Sequence, residues 1–258
     1  MKKIKKVSLL VFGMLALYSC TNLNEIVLDE YNAAGLTDKQ AAEGAIVPVY
    51  AFLPNLYRHT IHFALSEIST DEAILPYRGG TDWGDNGIYL SLHRHETMSN
   101  DPNVRDEWVH ILTGISRSVT AINALQISKD PAAKLYLAEA RGMRAFYNML
   151  MLDAFGVAFS KEDLGDVSTI LRGDKAVEYI KSELLAVEPV LETGVGPGRL
   201  TKAGAWGILA RLYLNAAAYR DIYAAQYTFK PEDMDKVIEY SDKIINSGQF
   251  SLSPDYWA

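Results

Sequence analysis

A chain of 258 residues, 49% of them hydrophobic, is long enough to bury a genuine core and too apolar to be disordered. Its formal charge is −7; without Lys2, Lys3, Lys5 and Lys6, the remaining 21 basic and 32 acidic residues leave −11. So acidic a protein argues against nucleic acid as a partner and is compatible with a neutral ligand, and its single cysteine rules out an intrachain disulfide framework.

The basic Met1–Lys6 stretch precedes an apolar run, Val7 to Leu17. Its 11 residues are too few to span a bilayer as a helix and fit the core of a signal peptide over residues 1–19. Leu17-Tyr18-Ser19-Cys20 follows, a small residue directly before the lone cysteine, and resembles a bacterial lipobox in which lipidated Cys20 becomes the mature N-terminus. The alternative is an ordinary signal peptide with a chance cysteine. Residues 20–36 are polar, lack helical pattern and read as a tether.

Thr37 and Gln40 have capping-box spacing, and predict a helix start. That helix runs towards Leu56, with a kink expected at Pro48 and an end near Pro54. Residues 59–105 differ in kind: rich in Gly, Asp, His and aromatics, they show no helical period of useful length. So long a loop-rich stretch inside a domain is usually functional or poorly ordered. From Val104 the period returns through Trp108, Ile111, Leu112, Ile115, Val119, Ile122 and Leu125. The strongest helix is Ala138 to Phe159, with Gly156 as its expected C-cap. One of its rows is Ala138, Gly142, Ala145, Met149, small enough to let another helix approach closely. Ala176 to Leu191, Thr201 to Tyr219, and a last helix from Pro231 to Gly248 complete the set.

Ala203, Gly207, Ala210 and Leu214 repeat the spacing of Ala138, Gly142, Ala145 and Met149 at an offset of 65 residues. The offset is close to twice the period of about 34 residues in tetratricopeptide repeats. The expected fold is mainly α: tetratricopeptide-like antiparallel helix pairs, an α-α superhelix, with a long loop-rich ligand region.

Four stretches in order carry a family resemblance. EARGMRAFYNMLMLDAFG, LTKAGAWGILARLYLNAAAY, the loop TDEAILPYRGGTDWGDNGIYLSLHRHE before Trp108, and IINSGQFSLSPDYW resemble segments of the SusD/RagB family. Val157-Ala158-Phe159 stands where the family pattern has Asp-Val-Pro, and Leu112 or its apolar neighbours where a Tyr is expected. The resemblance implies a cell-surface, outer-membrane lipoprotein that binds glycans or peptides without catalysis, anchored in lipid through Cys20. It would act as a lid on a SusC-like TonB-dependent transporter. It also implies that residues 37–258 correspond to the N-terminal, repeat-bearing half of a longer family pattern.

Sugar binding needs flat aromatic faces and planar polar groups. In the loop, Tyr77, Trp83 and Tyr89 supply the first, and Asp71, Arg78, Asn86 and His95 the second. The alternative is structural, with Trp83 packing the loop down and Asp71 paired with Arg78. His93, His95 and Glu96, with His59, His62 and His110, lack the spacing of a zinc helix pair. Asp82, Asp85, Asn86 and Gly87 have calcium-loop composition without EF-hand spacing. Neither a Gly-x-Ser-x-Gly nor a Walker loop occurs, and no cofactor is implied. An adaptor that binds only a partner protein, or a surface glycoside hydrolase built on one of many carboxylate pairs, are the rival readings.

Overall fold

Thr37 opens the first helix as its spacing to Gln40 predicts. Its hydroxyl accepts from the Gln40 N–H at 3.2 Å, and the Gln40 side chain accepts from the Thr37 N–H at 3.0 Å. This helix, α1, is Asp38–Ala51, and Pro48 sits inside it. Proline leaves the Gly44 carbonyl without its helical donor, but Gly44 lies on the exposed face, where water can serve it. Ala42, Ile46 and Val49 face inward. A short α2, Leu53–Leu56, follows with Pro54 in its first turn. The computed structural model describes residues 35–79, 87–194, 196 and 198–256. The chain divides into two compact units, Met1–Leu36 and Thr37–Ala258, and the elements named here lie in the second.

The core is built on α4, Pro102–Gln126, and α5, Ala133–Phe155, which pack along most of their lengths (α3, Ile88–His93, lies in the loop region of residues 59–105). Asp101 caps α4 by accepting from Asn103 N–H at 2.9 Å, with Pro102 at the position where a missing N–H costs nothing. Gly114 is the seat for Tyr147: a Cβ there would lie 2.5 Å from its ring. The Tyr147 hydroxyl then reaches through to donate to the Val49 carbonyl at 2.8 Å, one of the carbonyls left open at the end of α1. α5 is buried on nearly every side from Ala138 to Leu152 and ends at Gly156, whose φ of 67° forms the left-handed C-cap.

The small row of α5 is indeed closely packed, but not by a helix backbone. A Cβ on Gly142 would meet the Leu200 side chain at 2.3 Å and Val187 at 3.5 Å. Beyond the Gly156 cap, the apolar run that leads away from the helix is a strand. β1, Ala158–Ser160, pairs antiparallel with β2, Thr169–Leu171, placing Phe159 opposite Ile170. Asn148 holds this hairpin on α5 by accepting from the Phe159 N–H at 2.7 Å.

α6, Gly173–Val187, packs on α5. Thr201 caps α7, Lys202–Leu214, by accepting from Gly204 N–H at 3.0 Å. The helix expected to run unbroken to Tyr219 instead interrupts at Asn215, whose amide donates to the Arg211 carbonyl at 2.9 Å. It resumes as α8, Ala216–Arg220. α9, Pro231–Ile245, pairs with α7. The repeat is therefore one of spacing, not of environment. Gly207 would place a Cβ an ordinary 3.9 Å from Ile244, and Leu214 is 51% exposed where its counterpart Met149 is 1%.

Candidate functional site

Residues 59–105 are not featureless. Ala64–Ile68 forms a π-helical turn, and Ile88–His93 forms α3. Ala64, Ile68, Tyr89 and Leu92 make a small core of their own, with Leu65, Leu75 and Ile88 packed around it. This core fastens the loop region independently of the α4–α5 core. Local polar bonds bring the chain out of the π-helical turn: Thr70 donates to the Glu67 carbonyl at 2.7 Å and accepts from Glu72 N–H at 3.1 Å. Residues 73–79 then run without regular structure, with Ile74, Tyr77 and Arg78 exposed.

Gly87 has a φ of 83°, and a Cβ on it would touch the Tyr77 Cβ at 3.4 Å. The limbs of the loop on either side of residues 80–86 therefore meet at Tyr77 and Gly87. Tyr77 and Arg78 stand beside that junction, Tyr77 at 45% exposure, with aromatic face and donor fork available. Asp71 is also exposed, and among the described residues no ion pair joins it to Arg78. Trp83 and Asn86 lie outside the described residues, as does Cys20.

Tyr89 is a correction. It is fully buried in the small core, so it cannot offer a face to a ligand; it holds the loop. The reason is its place on α3 four residues before His93, on the side that packs against Ala64 and Ile68. His95 is exposed and has a φ of 55°. Its N–H donates to the Leu92 carbonyl at 3.1 Å, and Glu96 N–H donates to the Ser91 carbonyl at 2.9 Å. This is the paired C-terminal closure in which glycine usually takes the left-handed position. Two other histidines are held by local contacts. His62 Nδ1 pairs with Glu107 at 2.8 Å, and His110 Nδ1 bonds to the Asp106 carbonyl at 2.7 Å while its ring stacks on Phe52.

Two charged clusters secure the scaffold beneath. Buried Glu139 is gripped by Arg199 and accepts from the Tyr50 hydroxyl at 2.7 Å; burial first, then the Glu139 charge, raises the Tyr50 phenol far above its ordinary value. Glu183 receives both Arg141 and Arg144, and Arg144 also donates to the Lys161 carbonyl at 2.7 Å. Sequence reasoning missed Glu107. The cue was the row Asn103, Glu107, Ile111, Ile115, in which polar residues continue the buried face of α4.

No family model matches the chain. The starch-binding protein SusD of Bacteroides thetaiotaomicron is 30% identical over 206 residues, which is 78% of this chain and 34% of that protein. A SusD superfamily protein from Parabacteroides distasonis superposes with a TM-score of 0.69 at 19% identity, over 86% of this chain and 48% of that one. Surface glycan-binding protein A from Bacteroides thetaiotaomicron, solved in complex with laminarihexaose, gives a TM-score of 0.65 at 21% identity, over 83% and 44% of the two chains. The chain spans about a third of the length of the curated relative and under half that of these solved structures. Over the part that it spans, the chain is thus similar in sequence to SusD and shares the helix-pair fold of the solved SusD-like proteins.

Proposed function

We propose that this chain serves glycan capture at the bacterial surface, without catalysis, as part of a lipoprotein anchored through Cys20 and tethered by residues 20–36. The bound oligosaccharide is passed to a SusC-like TonB-dependent transporter in the outer membrane. The observation that carries the reading is the exposed Tyr77–Arg78 pair at the junction of the loop's two limbs, fastened from below by Tyr89. The fold is shared with a protein solved with laminarihexaose bound, which supports the ligand class.

Tyr77 gives a flat face for the C–H surface of a pyranose, Arg78 a fork of donors for adjacent hydroxyls, and Asp71 and His95 further polar partners. Trp83 and Asn86 join this set on sequence grounds. Tyr89 is withdrawn from it. The test is a titration of residues 21–258 with laminari- and malto-oligosaccharides, read by tryptophan fluorescence and by product analysis. Saturable quenching without new reducing ends is expected, weakened at least tenfold in Tyr77→Ala and Arg78→Ala. Release of shorter sugars would instead indicate a glycoside hydrolase. Silence towards the sugars, alongside co-purification with a transporter, would indicate an adaptor.

A further inference from the structure

A second place on the surface offers accessible groups of the same chemistry as Tyr77 and Arg78. A cavity of about 230 Å³ lies where the C-cap of α5, the start of α6 and the end of α8 meet. Gly156 and Gly173 line its floor, and Arg172, Asp221 and Tyr223 line its rim. It is smaller than the roughly 300–1,000 Å³ of enclosed ligand pockets, and so suits one ring of a longer ligand.

The floor is closely packed because both glycines lack a side chain. Gly156 has a φ of 67° and Gly173 one of 55°. A Cβ on Gly156 would lie 2.3 Å from the Ile222 side chain, and one on Gly173 would lie 2.7 Å from the Arg220 carbonyl oxygen. Residues 220–222 therefore seat directly against the ends of α5 and α6. Two other lining groups are already engaged. Arg220 donates to Asp233 at 2.9 Å, and the Tyr219 hydroxyl donates to Asp153 at 2.7 Å.

The rim is open. Asp221 Oδ1 accepts from the Tyr223 N–H at 3.1 Å, and the Asp221 carbonyl accepts from the Ala224 N–H at 3.2 Å. This turn presents Tyr223, which is 88% exposed while its neighbour Ile222 is seated on Gly156. Arg172 and Asp221 are exposed as well. Among the described residues no ion pair joins them, the Arg172 side chain has no hydrogen-bond partner, and the second Asp221 oxygen has none. An anion would gain from Arg172 but meet the Asp221 charge, and a cation the reverse. A neutral polyhydroxyl ligand accepts from the guanidinium and donates to the carboxylate, with the Tyr223 ring as a flat face for its C–H surface.

We propose that this cavity is a second glycan subsite, in which Tyr223 carries the face of one pyranose ring and Arg172 and Asp221 hold its hydroxyls. The ligand class rests on the glycan reading given above. The last turn of α5, Asp153–Phe155, adjoins His62, Leu65 and Ser66 of the loop region, so the subsite and that region stand at the same end of α5.

Residues 21–258 labelled with 3-fluorotyrosine are titrated with laminarihexaose, maltohexaose and, as the zwitterionic probe, L-phenylalanine, each through the millimolar range. The Tyr77 and Tyr223 fluorine resonances are assigned by their loss in Tyr77→Phe and Tyr223→Phe. The Tyr223 resonance is expected to shift saturably with at least one of the sugars and not with L-phenylalanine. Arg172→Ala should weaken that response about tenfold by removing charged donors, and should leave the thermal unfolding curve unchanged. Tyr77→Ala should leave the response in place. A responding Tyr223 beside a silent Tyr77 supports this site while failing the loop reading. A responding Tyr77 beside a silent Tyr223 overturns this site and keeps the loop reading. Silence of both, a Tyr223 shift with L-phenylalanine, or a response unaffected by Arg172→Ala or lost in Tyr77→Ala also overturns the proposal.

Discussion

Replacing Glu183 with Gln tests what holds the hairpin and α6 to α5. The carboxylate receives Arg144 at 2.6 Å through one oxygen and Arg141 at 2.6 Å through the other. The Arg144 side chain is 1% exposed, and among the described residues its other carboxylate is Glu162, which is 62% exposed. Burial pushes the Glu183 carboxyl up, but hydrogen bonds from Arg141 and the Arg144 charge outweigh it and hold the group below its ordinary value. Gln keeps the volume and one acceptor but not the charge, so two guanidiniums then face each other across a neutral group. Removing one partner of a buried pair costs about 3–5 kcal/mol. Arg141 is 35% exposed and can regain water, which places the expected loss at the lower end, about 3 kcal/mol. For a domain of this size that lowers Tm by about 6–12 °C. The assay is thermal unfolding of residues 21–258 by circular dichroism across a pH series. A carboxyl with a depressed folded pKa stabilises fully above its unfolded value of about 4.3, and this contribution fades as pH falls through the folded value. The gap between wild type and variant should therefore be widest at neutral pH and close on acidification. Adding Arg144→Met to Glu183→Gln should recover much of the loss, because the uncompensated charge is gone. A gap below about 2 °C at pH 7, or one that persists unchanged into acid, would refute the reasoning.

The two glycines of the repeat should respond with opposite sign. Gly142→Ala forces Leu200 aside and should cost about 1–2 kcal/mol net of the helix-propensity gain, whereas Gly207→Ala meets only an ordinary contact with Ile244 and should stabilise by about 0.5–1 kcal/mol, both read from urea midpoints. His95→Gly relieves a left-handed residue and should raise stability by about 0.5–1 kcal/mol; weaker oligosaccharide binding in that same variant would assign the side chain to the ligand as well. Tyr147→Phe leaves the Val49 carbonyl without its donor and should cost about 1 kcal/mol in chemical denaturation, with no effect on ligand titrations.

Local signals sufficed wherever neighbours in sequence do the bonding. Thr37 with Gln40, Thr201 with Gly204, and Gly156 after α5 mark helix ends through contacts spanning three or four residues, and the apolar rows between them are long enough to declare a helical period. The mainly α, repeat-like architecture followed from those alone. Elements of three to six residues did not declare themselves. β1 and β2 are each a single short segment registered by Asn148 from a different element, and α3 shows too few turns for any period to emerge.

The candidate site divides along the same line. Tyr77 and Arg78 were legible as residue types suited to a polyhydroxyl ligand, and their exposure agrees with that reading. Tyr89 looks identical to Tyr77 in sequence, and only its packing against Ala64 and Ile68 shows that it is a support. Glu107 reads as one more polar residue at the start of an amphipathic helix, yet it is buried, and it pairs with His62, 45 residues earlier. A sequence states which groups can bond; which of them are buried, and with which partner, depends on what distant segments cover, and that is decided only when the chain is packed.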